Sequence, residues 1–154
     1  LKKHFLRALA ILAAGLVGAV ALNAARPAGG IHLVRPPTDE LVRQAGIVPV
    51  SLDTVKLLLA DKRFLFLDAR PANAYRRGRI PGATSFPEEE FQERIRAFED
   101  SVAFDRLLVT YCDGPECQAS EMLSKELQEA GYKSIHWFHG GWYEWSQAKE
   151  AIEK

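Results

Sequence analysis

LLVTYCDGPECQASEMLSKEL, residues 107–127, is the stretch whose reading decides the fold. Leu107–Tyr111 is an apolar run of strand length that ends in Cys112, passes through a Gly-Pro loop and opens into a helical pattern with apolar positions at Met122, Leu123 and Leu127. Strand, cysteine loop and helix N-terminus, in that order, can activate a thiol. Loop amides can turn inward and the helix dipole favours negative charge at its start, so the pattern predicts a Cys112 that titrates below a free thiol. The competing reading is a small apolar residue that closes a strand end and reacts with nothing. The local sequence leaves both open.

Outward from this stretch, the totals set bounds. A chain of 154 residues holds one domain with a full core and is too short for two of ordinary size plus an anchor. Formal charge is zero, but Lys2, Lys3 and Arg7 precede the N-terminal apolar run and every Asp and Glu follows it. Setting those three aside leaves 17 of the 20 basic residues against 20 acidic ones, with no Lys/Arg-rich stretch and thus no reason to expect nucleic acid as a partner. Two cysteines, Cys112 and Cys117, are too few for a disulfide framework or a structural zinc site. Their closeness suggests a pair acting in one loop. A metal site made of both with His136 and His139 is disfavoured, because the four-residue gap between the cysteines is wide and His136 falls inside an expected strand.

The N-terminal segment, residues 1–25, carries its cationic leader into an uncharged run at 8–22. That length suits a short membrane-spanning helix, the preferred reading, and also the apolar core of a cleaved signal, with Ala19 and Ala21 as small residues for a peptidase. The positive-inside rule keeps the leader in the cytoplasm. The expectation is a single pass through the inner membrane with the domain facing the periplasm or cell exterior; the alternative is release to the periplasm after cleavage. Residues 26–47, with Pro27, Gly29, Gly30, Pro36 and Pro37, read as a linker.

The compact domain is expected over 48–154. VPVSL (48–52) predicts a short strand, after which Ser51 or Asp53 caps a helix carrying Val55, Leu58 and Leu59. FLFLDAR (64–70) is continuously apolar before its charged end, which suits a strand covered on both faces. Pro71 opens a helix, RGRIPGATSFP (77–87) gives a turn and a short strand, and Glu88 begins a helix with Phe91, Ile95 and Phe98 on one face. After the 107–127 stretch, Gly131 stops the helix, residues 134–138 form the last strand, and Gly140-Gly141 leads into a helix with Trp142 and Trp145. The alternation predicts an α/β fold with a parallel sheet flanked by helices on both faces and a site at the strands' carboxyl ends. Asp68 with Arg70, Cys112 and His139 all fall at such ends.

The order LDAR (67–70), AYRRGRIPGATSFP (74–87), a strand ending in cysteine, and FHGGWYEW (138–145) resembles the single-domain rhodanese-like sulfurtransferases, here of a membrane-anchored bacterial type, over 48–151. The resemblance implies a five-stranded parallel sheet and a cysteine at the base of a cradle loop that carries sulfane sulfur as a persulfide. By residue, it implies Cys112 as nucleophile, with Asp113, Gly114, Pro115, Glu116, Cys117 and Gln118 as cradle. Asp68 and Arg70 match the family's Asp-x-Arg block, and residues 79–83 its His-Ile-Pro-Gly-Ala; both are read mainly as supporting structure, as are the two tryptophans.

Such a transfer requires no metal or organic cofactor, since loop amides and a helix N-terminus stabilise the anion. Its partners are a small sulfur donor and a thiol acceptor; oligomeric state is not legible. The loop departs from the family pattern. Cys117 stands where many active members carry a basic residue, and Asp113 and Glu116 are expected to raise the Cys112 pKa and repel thiosulfate. Cys117 is a possible resolving thiol, which admits a thiol-disulfide oxidoreductase as the alternative function. A non-catalytic binding module on the same fold is the third reading.

Overall fold

The computed structural model describes residues 46–154. The expected membrane segment and nearly all of the expected linker lie outside the described residues, among which no helix is long and apolar enough to cross a membrane. Strands β1 (Val48–Pro49), β2 (Phe64–Asp68), β3 (Thr84–Ser85), β4 (Leu107–Tyr111) and β5 (Ile135–Phe138) form one sheet in the order β1-β5-β4-β2-β3. Every pairing between them is parallel. The chain returns between strands through α1 (Leu52–Leu59), α2 (Ala72–Arg77), α3 (Phe91–Ser101) and α4 (Ala119–Glu129), and ends with α5 (Gly141–Gln147). The α/β architecture with a five-stranded parallel sheet is therefore as expected.

Period-two alternation sends consecutive strand residues to opposite faces, and two cores result. Leu67, Leu108, Ile135 and Trp137 share one with Phe91 and Phe98 of α3 and Leu123 and Leu127 of α4. Phe66, Val109, Tyr111 and Phe138 share the other with Val55 of α1 and Trp145 of α5. Both faces being covered is why β2 and β4 read as unbroken apolar runs. Ser51 caps α1 by accepting from the Thr54 amide at 3.4 Å.

Two local expectations need correction. Glu88–Glu90 form a 3₁₀ turn and the α-helix starts only at Phe91, with Phe86 packed edge-on against Phe98 at 5.0 Å. The tighter turn lets the chain leave the sheet edge and still present Phe91 and Phe98 inward. Met122, expected on the apolar face of α4, is 46% exposed. The buried face runs through Ser120, Leu123, Ser124 and Leu127, an i, i+3, i+4, i+7 stripe in which two positions are serines. Ser124 Oγ lies 2.6 Å from Thr110 Oγ1 and donates to the Ser120 carbonyl at 2.7 Å, so its burial leaves no polar group unpaired.

These placements predict unequal costs on one helix. Leu127→Ala should lower the unfolding free energy in urea by about 2–5 kcal/mol, and Met122→Ala should change it by no more than about 0.5 kcal/mol. Equal losses would contradict the stripe.

Candidate active site

The same parity positions the site. Continuing the alternation of β4 past Leu108 and Thr110 brings Cys112 to the face covered by α4, whereas Tyr111 belongs to the face covered by α1 and α5. Cys112 therefore stands at the carboxyl end of a central strand, beneath the first turn of α4, and is 1% exposed.

Its sulfur has neighbours of both kinds. Ser120 Oγ lies 3.2 Å from Sγ, and Trp137 Nε1 donates to Ser120 Oγ at 3.0 Å. An indole nitrogen only donates, so the Ser120 oxygen accepts from Trp137 and its own hydrogen is free to point at the sulfur. On the other side Sγ is 3.1 Å from the Cys117 carbonyl oxygen and 3.8 Å from that of Gly114, acceptors that favour S–H over S⁻. Burial pushes the Cys112 thiol up to about 12, the hydrogen bond with the Cys117 side chain pushes the same way, and the Ser120 hydroxyl and amide pull it back.

The expected depressed pKa is thus overturned for the closed loop: desolvation and acceptor carbonyls outweigh the donors at the helix start. The expected cause of a raised value is corrected too. Burial leads, rather than the carboxylates of Asp113 and Glu116. Both cysteines are free thiols, Cys112 buried and Cys117 half-buried.

On the opposite face, Asp68 and Arg70 form a bidentate pair, Nε to Oδ1 at 2.9 Å and Nη2 to Oδ2 at 2.7 Å, with side chains 0% and 3% exposed. Tyr111 OH donates to Asp68 Oδ2 at 2.8 Å and accepts from the Ile80 amide at 3.2 Å; Arg70 Nη2 also donates to the Gly78 carbonyl at 2.7 Å. The Trp142 ring covers the guanidinium at 4.7 Å. Burial disfavours the Arg70 charge, but the bonds to Asp68 prevail and hold its pKa above the usual arginine value. Burial, then the Asp68 charge, pushes the Tyr111 hydroxyl upward as well. Arg70 Nη1 lies 3.6 Å from Asp113 Oδ1, which links this network to the cysteine loop.

The loop is fixed at its base from α5. The Trp142 and Tyr143 amides donate to the carbonyls of Cys112 and Asp113, each at 2.7 Å. Gly141, at φ +56°, permits this approach, because a Cβ there would collide with the Cys112 carbonyl oxygen. The Cys117 amide donates back to Gly114 at 2.9 Å. Gly114 is buried, while Asp113, Pro115, Glu116 and Gln118 are exposed, Gln118 at the start of α4 with no side-chain cap. Asp113, Gly114, Pro115, Glu116, Cys117 and Tyr143 line a pocket of about 530 Å³.

The sequence reading passed over Ser120, Tyr111 and the role of Gly141. A hydroxyl in the first helical turn, eight residues after the cysteine, was the available signal for Ser120. His139 is half-buried with its ring 4.7 Å from that of Trp137, and His136 packs edge-on against Phe64, away from the loop. Among the described residues no group of three or more His, Cys, Asp or Glu is arranged to hold a metal ion.

A central cysteine under a helix start, on a β1-β5-β4-β2-β3 parallel sheet, defines a class of cysteine-loop α/β domains. The chain belongs to the rhodanese-like domain family, whose profile matches residues 51–148. Among solved structures, the human single-domain sulfurtransferase TSTD1 is similar at 25% identity over 67% of this chain and 97% of that one, with a TM-score of 0.58. The Alr3790 protein from Anabaena sp. is 26% identical over 68% of this chain and 79% of that one, with a TM-score of 0.57. BH2092 from Bacillus halodurans shares the fold at 19% identity over 74% and 81% of the two chains, with a TM-score of 0.62. The curated proteins give no match.

Two outcomes follow from this geometry. Arg70→Ala, which strands Asp68 in the interior, should cost about 3–5 kcal/mol of stability, and Asp113→Ala, at the exposed end of the network, at most about 1 kcal/mol. In the native domain, Cys112 alkylation by iodoacetamide, followed by peptide mass, should keep accelerating from pH 9 towards pH 12, whereas in the urea-unfolded chain it levels off near pH 9. The folded value lies above the unfolded one, so this group leaves stability untouched below about pH 9 and lowers it as pH rises towards 12. A native plateau near pH 7 would mean that the thiol is not held as described.

Proposed function

We propose that this domain is a sulfurtransferase that carries sulfane sulfur as a persulfide on Cys112 and passes it to a thiol. The observation that supports this is the sulfur's position: a buried cysteine at the end of a central strand, with the Ser120 hydroxyl and amide directed at it from the start of α4. In loading, the Cys112 thiolate attacks the sulfane sulfur of a donor persulfide, the donor's S–S bond breaks, and the departing thiolate takes the proton that Cys112 gave up. In discharge, an acceptor thiolate attacks the outer sulfur of the Cys112 persulfide, and the electron pair returns to Sγ. Ser120 donates to sulfur whenever it is anionic, and Trp137 holds that hydroxyl in place. Because Cys112 is 1% exposed, the segment between it and Cys117 has to move aside for a donor to enter.

The second reading, a dithiol oxidoreductase, is favoured by a second free thiol in the same loop, the half-buried Cys117, whose carbonyl lies 3.1 Å from Cys112 Sγ. There Cys117 attacks the inner sulfur of the Cys112 persulfide, hydrogen sulfide leaves, and an intraloop disulfide remains for an external dithiol to reduce. We also propose that the apolar segment at 8–22 holds the domain outside the cytoplasm, where such a disulfide persists.

Mass spectrometry separates the readings. Purified protein is treated with thiosulfate, a polysulfide or glutathione persulfide, as wild type, Cys112→Ser and Cys117→Ser. One sulfur gained by the wild type and Cys117→Ser, and not by Cys112→Ser, is the expected outcome. Loss of two hydrogens without gain of sulfur makes it a dithiol enzyme, and no change in any form makes it a binding module.

A further inference from the structure

The groups that enclose the Cys112 sulfur differ in how firmly they are held. Ser120 Oγ, 3.2 Å from Sγ, belongs to the buried first turn of α4 and is bonded to Trp137 Nε1. The carbonyl oxygens of Cys117 and Gly114, at 3.1 and 3.8 Å, belong to the loop. Both ends of that loop are fixed: the Cys112 and Asp113 carbonyls accept from α5 amides, and the Gln118 carbonyl accepts from the Met122 amide at 3.0 Å. Between these ends, residues 114–117 are closed by the bond from the Cys117 amide to the Gly114 carbonyl, and they line a pocket that leaves about 530 Å³ unfilled beside them. The segment with freedom to yield is therefore the one that carries the two carbonyls. As it lies closed, it has room for a thiol and not for a persulfide. An outer sulfur bonded about 2.05 Å from Sγ and directed at the Cys117 or Gly114 oxygen would stand about 1 Å or about 2 Å from it, far inside the ~3.5 Å of an ordinary non-bonded contact. Directed at Ser120 it meets the same crowding, and with Cys112 1% exposed no face is left towards solvent. The thiol hydrogen also bonds the loop shut, since Sγ donates to the Cys117 carbonyl, and a persulfide anion has no hydrogen to give.

Resting on the sulfur-transfer reading above, we propose that the loop senses the load on Cys112: residues 114–117 lie closed over the free thiol and are held open by the persulfide. In loading from a polysulfide, a thermal opening admits the donor and the Cys112 thiolate attacks its terminal sulfur. One S–S bond forms as another breaks, and the shortened polysulfide leaves with the electron pair and the proton that Cys112 gave up. The new outer sulfur then occupies the space that the carbonyls held. When a thiol takes that sulfur away, Sγ regains its proton and the loop closes on S–H again. The unloaded nucleophile is thus covered and the loaded sulfur is presented. Crowding does the opening, so a neutral group of similar bulk on Sγ opens the loop as well.

Hydrogen exchange followed by peptide mass reads the loop directly. Full-length Cys117→Ser, in which Cys112 is the remaining thiol, is compared in three forms: free, loaded with a polysulfide, and treated with methyl methanethiosulfonate. The last reagent places a neutral S–CH3 group on Sγ as methanesulfinate leaves. Intact mass confirms each modification. Amides of 113–118 should exchange about tenfold faster or more in both modified forms than in the free protein, while the peptide over 123–129 of α4 stays unchanged. Removing the added group with excess 2-mercaptoethanol should restore slow exchange, and Cys112→Ser, treated identically, should show no change. Loaded or methylthiolated protein whose loop exchanges as slowly as the free form overturns the load sensing and leaves sulfur transfer standing. Protein that takes the methylthio group and opens, but takes no sulfur from polysulfide, upholds the crowding and defeats the transfer reading. A Cys112 that accepts neither group overturns both.

Discussion

The carboxyl end of this sheet depends on one buried ion pair. Asp68 and Arg70 are both removed from solvent, and together with Tyr111 they tie the end of β2 to the end of β4, to the Gly78 and Ile80 backbone, and to Asp113 of the cysteine loop. A buried pair of charges is not by itself a source of net stability, because desolvation consumes much of the attraction. What it supplies is position. The network's bonds are strong only in one arrangement, and that arrangement sets where β4 releases the chain into the loop.

The sulfur occupies the other face, with a different economy of forces. On one side stand donors, the Ser120 hydroxyl and the helix start; on the other stand the carbonyl oxygens of Gly114 and Cys117. Burial tips this balance towards the protonated thiol. A loop that moved its carbonyls away would leave the donors, which belong to α4 and the adjoining strand, where they are. The two halves of the sulfur's environment are therefore mechanically separable: one is anchored in the core through Trp137, and the other is carried by the loop itself.

Much of this was legible in the sequence. Continuous apolar runs in β2 and β4 gave a sheet covered on both sides, and the LDAR, IPGA and HGGW blocks gave its family. The limits of legibility are physical. Met122 looked like a core residue because apolar type is a weaker signal than helical phase, and the true stripe includes two serines whose hydroxyls find partners only in the folded chain. The thiol's pKa could not be read from a helix N-terminus alone, since it depends on how deeply the loop closes and where its carbonyls point. Gly141 likewise reads as one of a pair of turn glycines, and only the Cys112 carbonyl packed against it shows why a side chain is excluded.

The edges of the sheet differ from its carboxyl end in what they expose. Among the described residues the two outer strands, β1 and β3, are two residues long, and β1 contains Pro49, which has no amide hydrogen to offer. Among the described residues, each edge strand therefore offers little backbone for an added strand to pair with. Cys112 and its loop lie at the carboxyl ends of the strands, away from both edges. A group that reaches the cysteine loop therefore comes from the end of the sheet and not along its edges.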